Sequence, residues 1–384
     1  MLRRIVLLAA LALACAVAQA QRAPVTQSFD LRVPWTPEPV VVDGKASLVY
    51  ELHFTSYARD PLRVKGIAVL DDDGRVLANV EGRALDAVLG RPDHPADKDL
   101  ARMPPGVEGV AYLSVPFDRA AGSAAHLHHR ISYASEAPSS SHASTEGGAF
   151  TVSSRAPLTL GPPLRGGPWV AIYSTQWERG HRRVLYAVDG AVHVPGRFAI
   201  DWIRLGEHGG FASGDGAKPT QWHGYGADVL AVTDAVVAST GEGIAESATL
   251  AEHAAQKVPL EDAAGNYVSL DLGDGRFAFY EHLRPGSITV KAGQHVRRGQ
   301  VIGQLGFTGE STGPHLHFHI ADRDAPLDAE GLPYVLQDFR QLGGYESIDA
   351  FGKGQPWSIT TPVIHRDELP APLSVVDFGD DARR

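Results

Sequence analysis

Short apolar runs broken by turn-forming residues repeat along most of the chain. Between about Gln27 and Ser153 the segments VVVDGKASLVYELHFTSY, LRVKGIAVLDDDGRVLANVEG, GVAYLSVPFD, HLHHRISYAS and AFTVSS are separated by Gly, Asp, Pro and Ser. Within them LVYELHF alternates between two faces, as strand residues do, and DDDGR carries a hairpin-turn signal. Strands at such regular spacing predict an antiparallel, immunoglobulin-like β-sandwich over residues 21–155. The stretch SEAPSSSHASTEGG is too polar to contribute to a core and reads as a loop.

Residues 156–169, APLTLGPPLRGGPW, are dense in Pro and Gly and read as a linker. The strand rhythm then resumes. GYGADVLAVTDAVVAST (224–240) reads as a turn and a strand, GNYVSLDLGDGRFAFYEHLRPGS (265–287) as a hairpin, and ITVKAGQHVRRGQVIGQLG (288–306) as two short strands around a glycine turn. GEGIAESATLAEHAAQKVPLED is a polar, helix-tolerant insertion without a derivable place on the fold, and residues 336–384 read as a wrap-around C-terminal extension. The expected fold is therefore mainly β, a sandwich followed by a second β domain over 170–335.

Composition narrows the function classes. MLRRIVLLAALALACAVAQA places two arginines before an apolar run and ends in a small-x-small site, the form of a signal peptide over residues 1–20. Export to the periplasm or beyond is expected, and no other apolar run is long enough to span a bilayer. Cys15 is the single cysteine, so a mature chain has no disulfide and any metal must be held by His, Asp or Glu. The formal charge of −10, which becomes −12 without Arg3 and Arg4, argues against a nucleic-acid partner. Oligomeric state is not legible from these features.

The candidate chemistry sits in GESTGPHLHFHI, residues 309–320. In a strand His315, His317 and His319 share one face while Leu316 and Phe318 share the other, a geometry suited to a metal. His126, His128 and His129 in HLHHR have no accompanying carboxylate pattern and read as ordinary strand residues.

GYGADVLAVTDAVV, FAFYEHLRPGS and VKAGQHVRRGQVIGQLGFTGESTGPHLHFHI, in that order and spacing, resemble the M23 family of zinc metallopeptidases, which cut peptide bonds in bacterial cell walls. The resemblance covers roughly residues 170–335 and implies a compact antiparallel β core with a groove across one sheet. It further implies one Zn2+ held by a His, an Asp and the second His of His-x-His, with a fourth position for water. His317 matches the last ligand. Asp201 in GRFAIDWIRL matches the carboxylate, on an alternating stretch in which Phe198, Ile200 and Trp202 oppose Ala199, Asp201 and Ile203.

The family's His-x-x-x-Asp would place its first histidine at 197, where this chain has Arg197. His181 in ERGHRRVLYAVDG is the favoured replacement, with VLYAVDGAVHVPG as a hairpin-like excursion that returns the chain to Asp201; His193 is the alternative. His223 and Asp228 in HGYGAD imitate the motif but fall where the family has a turn. The resemblance assigns His315 and His282 to a catalytic pair that positions water and stabilises the tetrahedral intermediate, with His282 expected on the face of Tyr280. His319 is either a hydrogen-bonding neighbour of the ligands or a strand-end histidine in solvent.

The function these features imply is an exported zinc metalloendopeptidase acting on peptidoglycan cross-links or another extracytoplasmic peptide. The alternative is a non-catalytic M23-like binding module that regulates another cell-wall hydrolase. A carrier-domain reading of VKAGQHVRRGQVIGQLG fails, because no lysine sits at a hairpin tip flanked for modification.

Overall fold

Alternation along KASLVYELHFTS decides how the first half packs. In strand Lys45–Ser56 the residues Leu48, Tyr50, Leu52 and Phe54 enter one hydrophobic cluster, while Val49 enters a different one and Glu51 is buried beside it. Both faces of this strand are covered, so even its polar position is removed from water. The strand pairs with Glu108–Pro116, Phe29–Arg32 and Pro39–Val42 in one antiparallel sheet. Leu62–Asp71, His126–Ser135, His142–Thr151 and Val76–Glu81 form a second. Val64, Ile67, Val69, Leu127 and Ile131 bring that second sheet into the same core as Leu48 to Phe54. The molecule is a computed structural model that describes residues 27–93, 99–117, 125–137, 142–177, 180–206 and 209–380; the expected signal peptide lies outside the described residues.

A larger, mostly antiparallel sheet dominates the second half. Its centre runs Trp169–Ile172, Ile200–Arg204, Leu316–Ala321, Phe277–Leu283, Asn266–Asp271 and Ala235–Gly241. One face carries Trp202, Tyr280, Leu316 and Phe318, each fully buried in a core shared with Val229, Ile302 and Leu305. The other face carries the polar side chains described below.

Several segments join this sheet that their sequence does not announce. Leu158–Leu160, within the stretch read as a linker, pairs in parallel with Tyr334–Leu336. Tyr334–Gly344 and Ser374–Asp377 pair with each other, and Ser374–Asp377 also pairs with Trp169–Ile172, so the C-terminal segment extends the sheet rather than wrapping it. The polar insertion after residue 241 forms a short helix, Leu250–Ala254, started by a capping box of Thr249 and Glu252. Among the described residues no helix is long and apolar enough to cross a membrane.

Candidate metal centre

Three neighbouring strands place the site. Asp201 on Ile200–Arg204 lies directly opposite His317 on Leu316–Ala321, and His317 lies directly opposite Glu281 on Phe277–Leu283. Directly paired residues on neighbouring strands share a face, so these three side chains form one row. The row lines a cleft of about 410 Å³ together with His181, His282, His315 and Tyr186.

His181 reaches the row from outside the sheet. It opens a 3-10 turn, His181–Arg183, which packs on a second one, Pro195–Phe198. Gly196 makes that contact possible: a Cβ at this position would lie 2.7 Å from the Cβ of His181. His181 Nε2 lies 3.1 Å from Asp201 Oδ2, and His317 Nδ1 lies 2.9 Å from Asp201 Oδ1. The potential ligand atoms of His181, Asp201 and His317 lie within 4.8 Å of one another. Two imidazoles and one carboxylate converging on a cleft form a donor set that fits Zn2+ with a coordination position to spare.

His193 is elsewhere. It ends the hairpin formed by Tyr186–Val188 and Ala191–His193, and its ring lies 2.9 Å from Asp328 and 3.1 Å from Glu330. Of the two histidines that the sequence offers as first ligand, His181 is the one beside Asp201. Arg197 points away from the cleft into a buried ion-pair network with Glu51 and Glu330.

His282 and His315 lie beside this trio, with ring centroids 4.7 Å apart. Each has one nitrogen committed: His282 Nδ1–H donates to the carbonyl of Thr308 at 2.8 Å, and His315 Nδ1–H donates to that of Gly313 at 2.7 Å. Their Nε2 atoms remain for the cleft, and that of His315 is 3.3 Å from Asp201 Oδ1. His282 does not share the face of Tyr280, as strict alternation predicts. Tyr280 is in the core with its hydroxyl accepting from Val232 N–H, whereas His282 lines the cleft next to Glu281. An extra residue in this strand, opposite Asn266 to Val268, and a φ of +62° at His282 put two consecutive side chains on one side.

Electrostatics follow from burial and from the single carboxylate among several imidazoles. Burial works against ionised Asp201, yet His181 and His315 hold its carboxyl well below the usual range. Burial likewise opposes charge on His181 and His315, but Asp201 raises both. His317 is lowered, chiefly by burial. His282 is pushed well down by burial and by the neighbouring His315 and His317, so it stands neutral.

Glu281 is the site residue that sequence reasoning missed. Burial, with the charge of Asp201, pushes its carboxyl up to about 8. Its position in FAFYEHL is legible once the pairing register is known, because it faces His317 across the strands. His319 is neither in solvent nor hydrogen-bonded among the described residues: it is 2% exposed, stacks on Phe279 at 5.1 Å and lies 3.8 Å from Glu281.

An antiparallel sheet presenting two imidazoles and a carboxylate to a cleft, with two further histidines alongside, defines a β domain with a candidate mononuclear metal centre. Residues 223–329 match the model of Peptidase family M23, so this region is similar to that family's domain. The matched region contains His282, His315 and His317 and begins after His181 and Asp201. Among curated proteins, the peptidoglycan DD-endopeptidase ShyA of Vibrio cholerae serotype O1 is 48% identical over 66 residues, 17% of this chain and 15% of that protein. Lysostaphin of Staphylococcus simulans is 47% identical over 55 residues, 14% of this chain and 11% of that protein. The chain thus spans under a fifth of the length of these relatives. Among solved structures, the catalytic domain of the prophage-encoded M23 protein EnpA from Enterococcus faecalis aligns at 21% identity and a TM-score of 0.27, covering 44% of this chain and 92% of that one. A zinc-containing peptidase from Vibrio cholerae aligns at 16% identity and a TM-score of 0.25, covering 76% and 82%.

Proposed function

We propose that this protein is an exported zinc metalloendopeptidase that hydrolyses peptide bonds in peptidoglycan cross-links. The observation that carries the reading is the convergence of His181, Asp201 and His317 on one cleft with His282 and His315 beside them. The family match to residues 223–329 and the similarity to a peptidoglycan DD-endopeptidase support the substrate class. The signal-like residues 1–20 support export.

His181, Asp201 and His317 would hold the metal. Bound there, zinc supplies Lewis-acid polarisation of a carbonyl and a water whose pKa falls toward about 7. His282, kept neutral and fixed in one tautomer by Thr308, offers Nε2 to accept a proton from the attacking water. His315, held by Gly313 and raised by Asp201, offers an N–H for the developing oxyanion and a proton for the leaving amine.

The test is metal content together with cleavage of purified peptidoglycan by the intact chain. One zinc per chain is expected, lost in Asp201→Ala and His317→Ala, with hydrolysis lost in those variants and on chelation. His282→Ala and His315→Ala should keep most of the metal and lose hydrolysis. Undiminished hydrolysis in Asp201→Ala overturns the reading; metal binding and peptidoglycan binding without any cleavage favours the regulatory module instead.

A further inference from the structure

The residue standing where the family pattern expects a histidine, Arg197, belongs to a buried network that reaches into the N-terminal sheet. Glu51, Arg182 and Arg197 are each no more than 3% exposed. Glu51 Oε1 accepts from Arg182 Nε at 2.7 Å, and Oε2 accepts from Arg197 Nε at 2.7 Å. The remaining guanidinium groups are also committed. Arg182 donates to the carbonyls of Thr175, Tyr50 and Leu113, while Arg197 donates to Gly331 and to the Glu330 carboxylate and lies 4.2 Å from the Trp35 ring centroid. Two arginines and two glutamates balance in charge, which is what allows them to be buried together.

The placement of these residues along the chain gives the network a consequence for the cleft. Arg182 directly follows His181, and Arg197 stands four residues before Asp201. The two short turns that carry these arginines touch at Gly196 and His181. One carboxylate from a different sheet therefore ties down both segments that deliver His181 and Asp201, and each of its oxygens fixes one of them. His181 has no strand of its own to orient it, unlike Asp201 and His317, so its position is set by what holds its turn, of which the Glu51 network is one part.

We infer that Glu51 is a positioning residue for the metal centre, acting through Arg182 and Arg197, and that the N-terminal sheet is thereby a structural part of the site. The inference rests on the reading of His181, Asp201 and His317 as metal ligands. Loss of the Glu51 carboxylate leaves the buried guanidinium groups of Arg182 and Arg197 short of counter-charge, and relieving that cost displaces the turns that carry them.

The experiment measures zinc affinity by chelator competition, and the visible absorption of the Co2+-substituted form, in the full chain. Glu51→Gln should bind zinc at least tenfold more weakly than the parent and shift the Co2+ bands, while circular dichroism shows it folded at the assay temperature. Arg182→Lys keeps the charge but not the fork; it should move both readouts in the same direction and decides the matter if Glu51→Gln does not fold. Zinc affinity within twofold of the parent and unchanged Co2+ bands in a folded variant overturn the inference, since a merely stabilising network would lower only the melting temperature. His181→Ala separates the two readings. If it retains zinc like the parent, the ligand assignment itself fails; if it loses zinc while the Glu51 variant does not, only the positioning role fails.

Discussion

His282 holds a left-handed backbone conformation, φ +62°, that a residue with a Cβ adopts at a cost of about 1–2 kcal/mol. The bulge needs that conformation to turn the imidazole toward the cleft, a local strain of the kind concentrated at functional sites. His282→Gly should accordingly be more stable than His282→Ala by roughly 1 kcal/mol, read from denaturant midpoints, although both lack the imidazole. A lower midpoint for the glycine variant would show that the backbone is not strained there. His129 is a contrasting histidine, far from the cleft. Its Nδ1–H donates to the Gly148 carbonyl at 3.1 Å and its Nε2 accepts from the Tyr50 hydroxyl at 2.9 Å, which fixes the neutral ring. Burial holds its pKa down to about 4 against an ordinary 6.5. The unfolded chain therefore binds more protons than the folded one in this window, and stability is full above about pH 6.5 and falls as pH drops toward 4. The contribution is roughly 3 kcal/mol, and His129→Gln should flatten the pH dependence of the unfolding free energy over that interval.

At the scale of the element, the strand Leu316–Ala321 separates chemistry from packing by alternation. His317 and His319 face the cleft side, while Leu316 and Phe318 are fully buried in the core on the other side. Phe318 meets Tyr280 at 5.1 Å and Tyr334 at 5.3 Å between ring centroids. Phe318→Ala should cost about 3–5 kcal/mol of stability, measured by chemical denaturation, from lost contacts and a cavity that these rigid rings cannot fill. This division was legible in HLHFHI, because a period of two is a local property of the chain. So was the pairing of Phe198, Ile200 and Trp202 against Asp201. The bulge at Glu281 and His282 was not legible: an extra residue leaves no mark in FAFYEHL and becomes visible only against the partner strand. The same limit hid Glu281, whose alternation is plain but whose neighbour depends on register. The placement of His181 was legible only as one of two options, since a histidine on a turn of three residues takes its position from contacts made far away in sequence.

At the scale of the whole molecule, the two halves predicted from length and punctuation share buried material. Val40 and Val49, from the N-terminal sheet, enter the cluster built around Trp169, Leu336 and Leu369, and Trp35 packs against both clusters. Leu369 N–H donates to the Val41 carbonyl at 2.9 Å, and Arg183 donates to the carbonyls of Ala87 and Leu89. Together with the Glu51 network, these contacts join the halves through an apolar core and buried ion pairs, whereas domains that move independently usually meet through smaller, more polar surfaces. Composition could not show this, because an alternating strand with one face against its own sheet partner reads the same whether the other face meets solvent or a second core. The expected outcome is a single calorimetric unfolding transition for the intact chain, with calorimetric and van't Hoff enthalpies equal. Val49→Ala, which removes side-chain volume on the C-terminal side of an N-terminal strand, should lower that whole transition as one. Two resolved transitions, with only one displaced by the substitution, would mean that the halves fold separately and that the buried contacts between them carry little of the stability.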